Sequence, residues 1–184
     1  AGRIVQAKGL DYSVTELLGG RDEGAAAFVD GQFTTIYLSP RDYHRVHIPF
    51  GGKLVRAIHV PGRLFSVAPW TTESIPRLFA RNERLALLFE TSQGPLAVIL
   101  VGAIFVSSIE TVFDGEVTPP YADQVRVRDY SGANAPEFVI GAEIGRFNMG
   151  STVIVLSGKD FTRWINAWQA GSKIRLGQRL SEPG

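Results

Sequence analysis

Apolar residues in this chain come mostly as short runs closed off by Gly, Pro or Ser, and only a few stretches carry the three-and-four spacing of a helix. The run "FTTIYLS" (residues 33–39) is rich in β-formers and stops at Pro40. "HRVHIP" and "KLVRAIHV" flank Phe50, Gly51 and Gly52, which predicts a hairpin. Residues 84–90 and 96–106 flank Ser92, Gln93, Gly94 and Pro95, which predicts a second one. "FVIG" (138–141) and "STVIVL" (151–156) add strands. Helical signals are fewer. "SVTE" (Ser13 to Glu16) reads as a capping box with Gly19 and Gly20 as its stop, so a short helix is expected near residues 13–18. A second is expected over 22–28, and a third over "TTESIPRLFARN" (71–82) with Thr72 as its cap. "KDFTRWINAWQAG" (159–171) predicts a late amphipathic helix whose Phe161, Trp164, Ile165 and Trp168 form a core-facing stripe. Residues 118–137 are the loopiest stretch and are expected on the surface. The pattern predicts a mainly β (α+β) domain spanning residues 1–184: an antiparallel β core with a few short peripheral helices.

Composition narrows the function. Of 184 residues, 45% are hydrophobic and 20% charged, enough apolar content for a globular core. The net charge of +1 argues against nucleic acid as a partner, since that needs a basic face. Without cysteine there is no disulfide, thiolate nucleophile or thiolate zinc site. The longest apolar run, residues 95–106, falls short of the roughly 20 residues of a membrane-spanning helix and reads as a buried strand. No signal peptide is read where Ala1 opens into polar sequence, and the lack of an initiator Met leads us to expect missing upstream sequence.

Two short stretches carry candidate chemistry. His44 and His47 lie in "SPRDYHRVHIPFGG", the third histidine being His59 in "AIHVPG". On an extended segment an odd spacing sends the two rings to opposite faces, which argues against joint chelation of a metal. General acid or base work suits these two histidines, as do plain backbone hydrogen bonds; His59 reads as structural. In "FNMGSTVIVL" the Gly150-Ser151 step precedes a strand. It reads either as a loop-to-strand turn or as a reactive serine. A hydroxyl beside such a carbonyl can attack it, turning the amide into an ester, given a base to take the serine proton. Elimination and hydrolysis then leave a pyruvoyl group.

"YLSPRDYHRVHIPFGG", "LFARNERLALLFET", "VGAIFVSSIETV" and "IGRFNMGSTVIVL" together resemble the bacterial phosphatidylserine decarboxylase proenzymes, in order and spacing, from Ile4 to Gly177. The resemblance implies self-cleavage between Gly150 and Ser151 into a β chain (1–150) and an α chain (151–184), with Ser151 becoming the pyruvoyl cofactor. The family's charge relay is Asp, His and Ser. Ser151 and His47 match two of its members, and His44 matches the histidine of the decarboxylation step. The family aspartate lies in an upstream Asp-Gly motif that has no counterpart in these 184 residues: Asp30-Gly31 falls at the wrong place and Asp42 belongs to the "RDYH" block. Tyr37 and Ser66 stand in blocks near His44 and are candidate pocket residues. Met149 replaces a common leucine, a volume-conserving change.

The implied reaction converts phosphatidylserine to phosphatidylethanolamine. The pyruvoyl carbonyl forms a Schiff base with the headgroup amine and accepts the electron pair left by carbon dioxide; His44 is expected to protonate the carbon. The implied partners are phosphatidylserine, an anionic membrane surface and the paired β and α chains, with higher oligomers left open. The implied location is the cytoplasmic side of the inner membrane, as a peripheral protein whose amphipathic membrane-binding helices lie upstream. Residues 65–84, which mix Phe65, Trp70, Ile75, Leu78 and Phe79 with Arg77, Arg81 and Arg84, are a candidate interface or an ordinary core-packed helix. A non-enzymatic β-rich binding module and a Ser-His hydrolase remain as alternatives.

Overall fold

The computed structural model describes residues 2–20, 22–104, 108–121, 123–148 and 151–183. Its strands are, in chain order, β1 (Arg3–Ala7), β2 (Leu10–Ser13), β3 (Gln32–Leu38), β4 (Arg45–His47), β5 (Gly52–Val60), β6 (Arg84–Thr91), β7 (Gly94–Val101), β8 (Ile109–Thr111), β9 (Gly115–Thr118), β10 (Arg126–Asp129), β11 (Glu137–Phe138), β12 (Glu143–Phe147), β13 (Ser151–Ser157), β14 (Thr162–Trp164) and β15 (Ser181–Pro183). The α-helices are single turns: α1 (Val14–Leu17), α2 (Asp22–Ala25), α3 (Pro69–Thr72) and α4 (Leu78–Arg81). The fold is mainly β, as the apolar pattern predicts.

The main sheet has seven strands in the order β10-β5-β6-β7-β13-β3, with β11 also pairing β5. The neighbouring strands in it pair antiparallel. Its centre is apolar on both faces: Leu85 to Phe89, Leu96 to Val101 and Val153, Ile154 and Leu156 are all buried. Runs without polar alternation are what a strand covered on both sides requires. The second sheet is β4-β12-β8-β9. It packs on the first where Gly145 of β12 meets Leu100 of β7; a Cβ at Gly145 would lie 2.6 Å from the Glu110 carbonyl oxygen and 3.4 Å from Leu100 Cδ2.

The hairpin predicted around residues 92–95 forms as β6 and β7, with Thr91 opposite Gly94 across a two-residue turn. The second strand stops at Val101, short of the predicted end: Gly102 to Ile104 are not strand, and Phe105 and Val106 lie outside the described residues. The capping box also forms: Ser13 Oγ accepts from the Glu16 amide, and the Glu16 carboxylate accepts from the Ser13 amide.

Four expectations are corrected. Of the strand predicted over 138–141 only Phe138 is strand, because residues 139–142 form a turn closed by the Ala142 amide on the Val139 carbonyl. Gly51-Gly52 is no hairpin, because β4 pairs with β12 of the second sheet while β5 pairs with β6 of the first; the glycines carry the chain from one sheet to the other. A Cβ on Gly52 would lie 2.7 Å from the Glu90 carbonyl oxygen, so the close approach explains the residue. Residues 71–82 form no continuous helix: Thr72 ends α3 instead of capping a helix, and α4 follows separately. The pre-proline position at Ile75 disfavours helical backbone there. Residues 159–171 form no helix either. Thr162–Trp164 pairs with Ser181–Pro183, and Phe161 packs edge-on against Phe50 at 4.8 Å.

One buried cation ties the periphery to the core. Arg84 opens β6 with its side chain buried. Its guanidinium donates to the carbonyls of Leu17 (2.6 Å), Glu16 (2.6 Å) and Asn82 (2.7 Å). Glu16 and Leu17 end α1, so Arg84 supplies donors that the short helix lacks. Burial lowers the group to about 10, which still leaves it charged at neutral pH. Replacing Arg84 with Met keeps the bulk and removes the donor from the Leu17 and Asn82 carbonyls, while the Glu16 carbonyl keeps the Gly19 amide at 3.2 Å. Urea denaturation should then show a loss of about 2 kcal/mol or more, at about 1–3 kcal/mol per stranded group.

Candidate active site

Ser151 is the first residue of β13 and is wholly buried. β13 lies between β7 and β3. Ser151 faces Leu38 of β3, and the next residue, Thr152, faces both Tyr37 and Val101. Ser151 Oγ and Thr152 Oγ1 are both buried without a hydrogen-bond partner among the described residues. Met149 and Gly150 lie outside the described residues, and with them the expected cleavage bond.

A second attachment sits four residues upstream. The Phe147 amide donates to the His44 carbonyl at 3.0 Å, extending the β4–β12 ladder. Segments 38–44 and 147–151 are therefore joined at both ends, by Leu38 to Ser151 and by His44 to Phe147. The four steps from 147 to 151 reach at most about 14 Å, which bounds the separation of the two attachments. Asn148, next to Phe147, donates through Nδ2 to Ser108 Oγ.

A tight turn leads from β3 to the histidines. The Asp42 carboxylate accepts from the Ser39 amide at 2.7 Å, and the Ser39 carbonyl accepts from the Asp42 amide at 2.9 Å. The Ser39 hydrogen bonds hold the Asp42 carboxyl below its ordinary range, so it stays charged at neutral pH. His44 Nδ1 lies 2.6 Å from the Asp42 carbonyl. A carbonyl can only accept, so Nδ1 carries the proton, and in the neutral ring Nε2 is left as an acceptor. That Nε2 is buried and has no partner among the described residues.

His47 is arranged differently. Its Nδ1 donates to the Gly141 carbonyl at 2.7 Å, and its Nε2 lies 2.9 Å from the Tyr43 hydroxyl. The Tyr43 ring stacks on the imidazole with centroids 5.7 Å apart, and the Arg45 guanidinium covers the tyrosine ring at 5.0 Å. With both nitrogens engaged, His47 makes no hydrogen bond to Ser151 in this structure. The two histidines have separate surroundings, as their odd spacing on extended chain requires.

Tyr37 precedes Leu38 on the edge strand β3, beside the Ser151 position. Ser66 lies farther along the chain, its Oγ accepting from the Ala68 amide at 3.3 Å. Buried Asn82 brings this segment to the same end of the main sheet. Its side chain donates to the Phe65 carbonyl (2.8 Å) and the Gly102 carbonyl (2.9 Å) and accepts from the Phe65 amide (3.1 Å). Gly102 follows Val101, the partner of Thr152. His59 stands apart, its Nε2 2.8 Å from Glu83 Oε1 in a buried pair. Of the 65–84 stretch, Leu78 and Phe79 face the core while Trp70 is 71% exposed. Among the described residues, no three His, Asp or Glu side chains gather into a metal-binding group.

Reading the sequence missed Tyr43, Asn82 and Ser108. A tyrosine four residues before a histidine carries no motif of its own. The roles of Asn82 and Ser108 depend on contacts across the fold.

The family model for phosphatidylserine decarboxylase matches residues 1–182. Several relatives carry the name phosphatidylserine decarboxylase proenzyme. That of Methylococcus capsulatus is 58% identical over 97% of this chain and 62% of its own length. That of Bordetella pertussis is 56% identical over 99% and 62%, and that of Pseudomonas fluorescens 53% over 98% and 64%. The chain thus spans somewhat under two thirds of the length of these relatives. With the match running over nearly every residue, through the histidine block and the Gly-Ser-Thr step alike, the chain belongs to the phosphatidylserine decarboxylase family.

Proposed function

We propose that this chain is the catalytic part of a self-processing enzyme that decarboxylates phosphatidylserine to phosphatidylethanolamine. The single observation that carries the reading is the buried Ser151 hydroxyl, without a partner among the described residues, at the first position of the central strand β13 where it pairs with the strand leading to the histidine turn. Tyr12, Thr152 and Ser157 also have buried hydroxyls without such a partner, and the place of Ser151 beside the Gly150 bond is what suits it to chemistry.

In the first stage Ser151 Oγ attacks the Gly150 carbonyl. An O–C bond forms, the C–N bond breaks, and the serine proton passes to the freed amine. Loss of the Cα proton then expels the Gly150 carboxylate, and water replaces the nitrogen as ammonia, leaving a pyruvoyl group. The orphaned Oγ and the room for a proton acceptor at His44 Nε2 fit a group made in place from Ser151. Once present, the pyruvoyl group supplies an electron sink for decarboxylation. We assign His47 as base for the first stage, by its match to the family relay, and His44 as the proton carrier of the second. His44 Nε2 accepts in the resting tautomer, so it must take up a proton before giving one to the substrate carbon.

Residues 151–157 are held by ladders on both sides, to β7 and to β3. The α piece therefore stays with the β piece after the cut. The proposed setting is peripheral, on the cytoplasmic face of the inner membrane; among the described residues no helix is long and apolar enough to cross a bilayer.

The deciding experiment measures carbon dioxide release from phosphatidylserine by the purified protein. Activity in the wild type and its loss in Ser151→Ala are expected; a processed wild type inert on this lipid would sink the reading. Tyr43→Phe keeps the stacked ring and removes the hydroxyl from His47 Nε2. A hydrogen bond of about 1 kcal/mol no longer competes for the base, so maturation followed on denaturing gels should run about fivefold faster. His44→Ala should still be cut while losing most of its turnover. Size-exclusion chromatography of the cut protein should show both pieces eluting together, separating only in denaturant.

A further inference from the structure

The turn at residues 139–142 breaks a local rule. Its bond runs from the Ala142 amide to the Val139 carbonyl at 3.0 Å, and Gly141 takes a φ of +79° at the position where glycine is favoured. The other two leading positions hold Val139 and Ile140, β-branched residues that turns disfavour. Their side chains stand 76% and 68% exposed. The turn is pinned: the Gly141 amide donates to Ile48 (2.9 Å) and the Ile48 amide to Ala142 (2.9 Å). Two aliphatic residues are thus held out into water on a fixed support, against both turn preference and the hydrophobic effect.

The same turn touches the site. Its Gly141 carbonyl receives the Nδ1 proton of His47, whose other nitrogen meets Tyr43. Tyr43 is itself 42% exposed and carries Arg45 over its ring. Arg41, two residues before Tyr43, is exposed and has no ion pair among the described residues. Arg45 is also paired with Glu143 at 3.6 Å, so Arg41 is the cation offered to anionic heads; with two aliphatic side chains and a tyrosine it makes up a composition that suits a bilayer surface.

We propose that the Val139–Ile140 turn is a membrane-docking prow that enters the headgroup region and sets the His47 side of the molecule against the bilayer. The inference rests on the reading of a lipid substrate and names the surface through which that lipid is reached. A second copy of the chain fits less well. Two aliphatic side chains expose on the order of 200 Å², against about 800 Å² per partner in a stable interface. The stretch 65–84 is a weaker rival, since Leu78 and Phe79 already face the core and leave Trp70 alone.

The test is flotation of the protein with vesicles of phosphatidylcholine and phosphatidylglycerol, which contain no substrate and so do not depend on turnover. The double variant Val139→Asp/Ile140→Asp should lower the bound fraction's partition coefficient by about tenfold or more, equivalent to about 1.4 kcal/mol or more. Trp70→Asp and Val112→Asp, at exposed apolar positions elsewhere, should leave it within about twofold. A tryptophan in place of Ile140 should shift its fluorescence to the blue when vesicles are added. Failure of the wild type to float, equal floating of the double variant, or a loss of binding only in Trp70→Asp would each overturn the proposal. So would a double variant that changes from dimer to monomer in sedimentation, since the turn would then join two copies. A wild type that floats through this turn but releases no carbon dioxide from phosphatidylserine would instead overturn the proposed reaction and leave the docking surface standing.

Discussion

The pairing of β13 with both of its neighbours is the constraint on which the rest depends. Seven consecutive residues from Ser151 are in register with β3, and six from Thr152 with β7. Period-two geometry makes any slip of register exchange the two faces of the strand, which the packed apolar residues Val153, Ile154 and Leu156 resist. Ser151 is consequently fixed at the end of the strand, with a hydroxyl that has no partner among the described residues. The proposed cut before Ser151 would leave this centre in place, because β13 is held by strands that precede it.

Around this fixed point the protein sets two imidazoles by backbone carbonyls. Asp42 and Gly141 each accept from an Nδ1, so both rings have a defined tautomer that leaves Nε2 as the acceptor in the neutral ring. The buried His44 Nε2 has no partner among the described residues, while that of His47 meets the Tyr43 hydroxyl. The proposed maturation therefore includes a change of partner at His47, and the turn carrying Gly141 ties that change to the surface facing Val139 and Ile140.

Much of this was legible in the residues. The apolar runs at 85–89, 96–101 and 153–156 give buried strands because nothing polar interrupts them, and Ser13 with Glu16 fixes the first helix. What misled was local resemblance without tertiary partners. Gly51-Gly52 imitates a hairpin turn, yet β4 finds its partner β12 nearly a hundred residues later. Phe161, Trp164, Ile165 and Trp168 follow helical spacing, yet Phe161 is claimed by Phe50 and the following residues by β15. The histidine block and the Gly-Ser-Thr step could be picked out as chemistry, and the resemblance assigned their roles. The attachments that join the two stretches could not be, since they are the Phe147-to-His44 bond and the pairing of Ser151 with Leu38.

Intact-mass analysis of the protein purified at its natural length, with sequencing of any small fragment, tests the central claim most directly. The account predicts two species divided between residues 150 and 151, the smaller starting at position 151 with a blocked, keto-bearing end. A single uncut species, or a small piece beginning with an ordinary free serine amine, would contradict it.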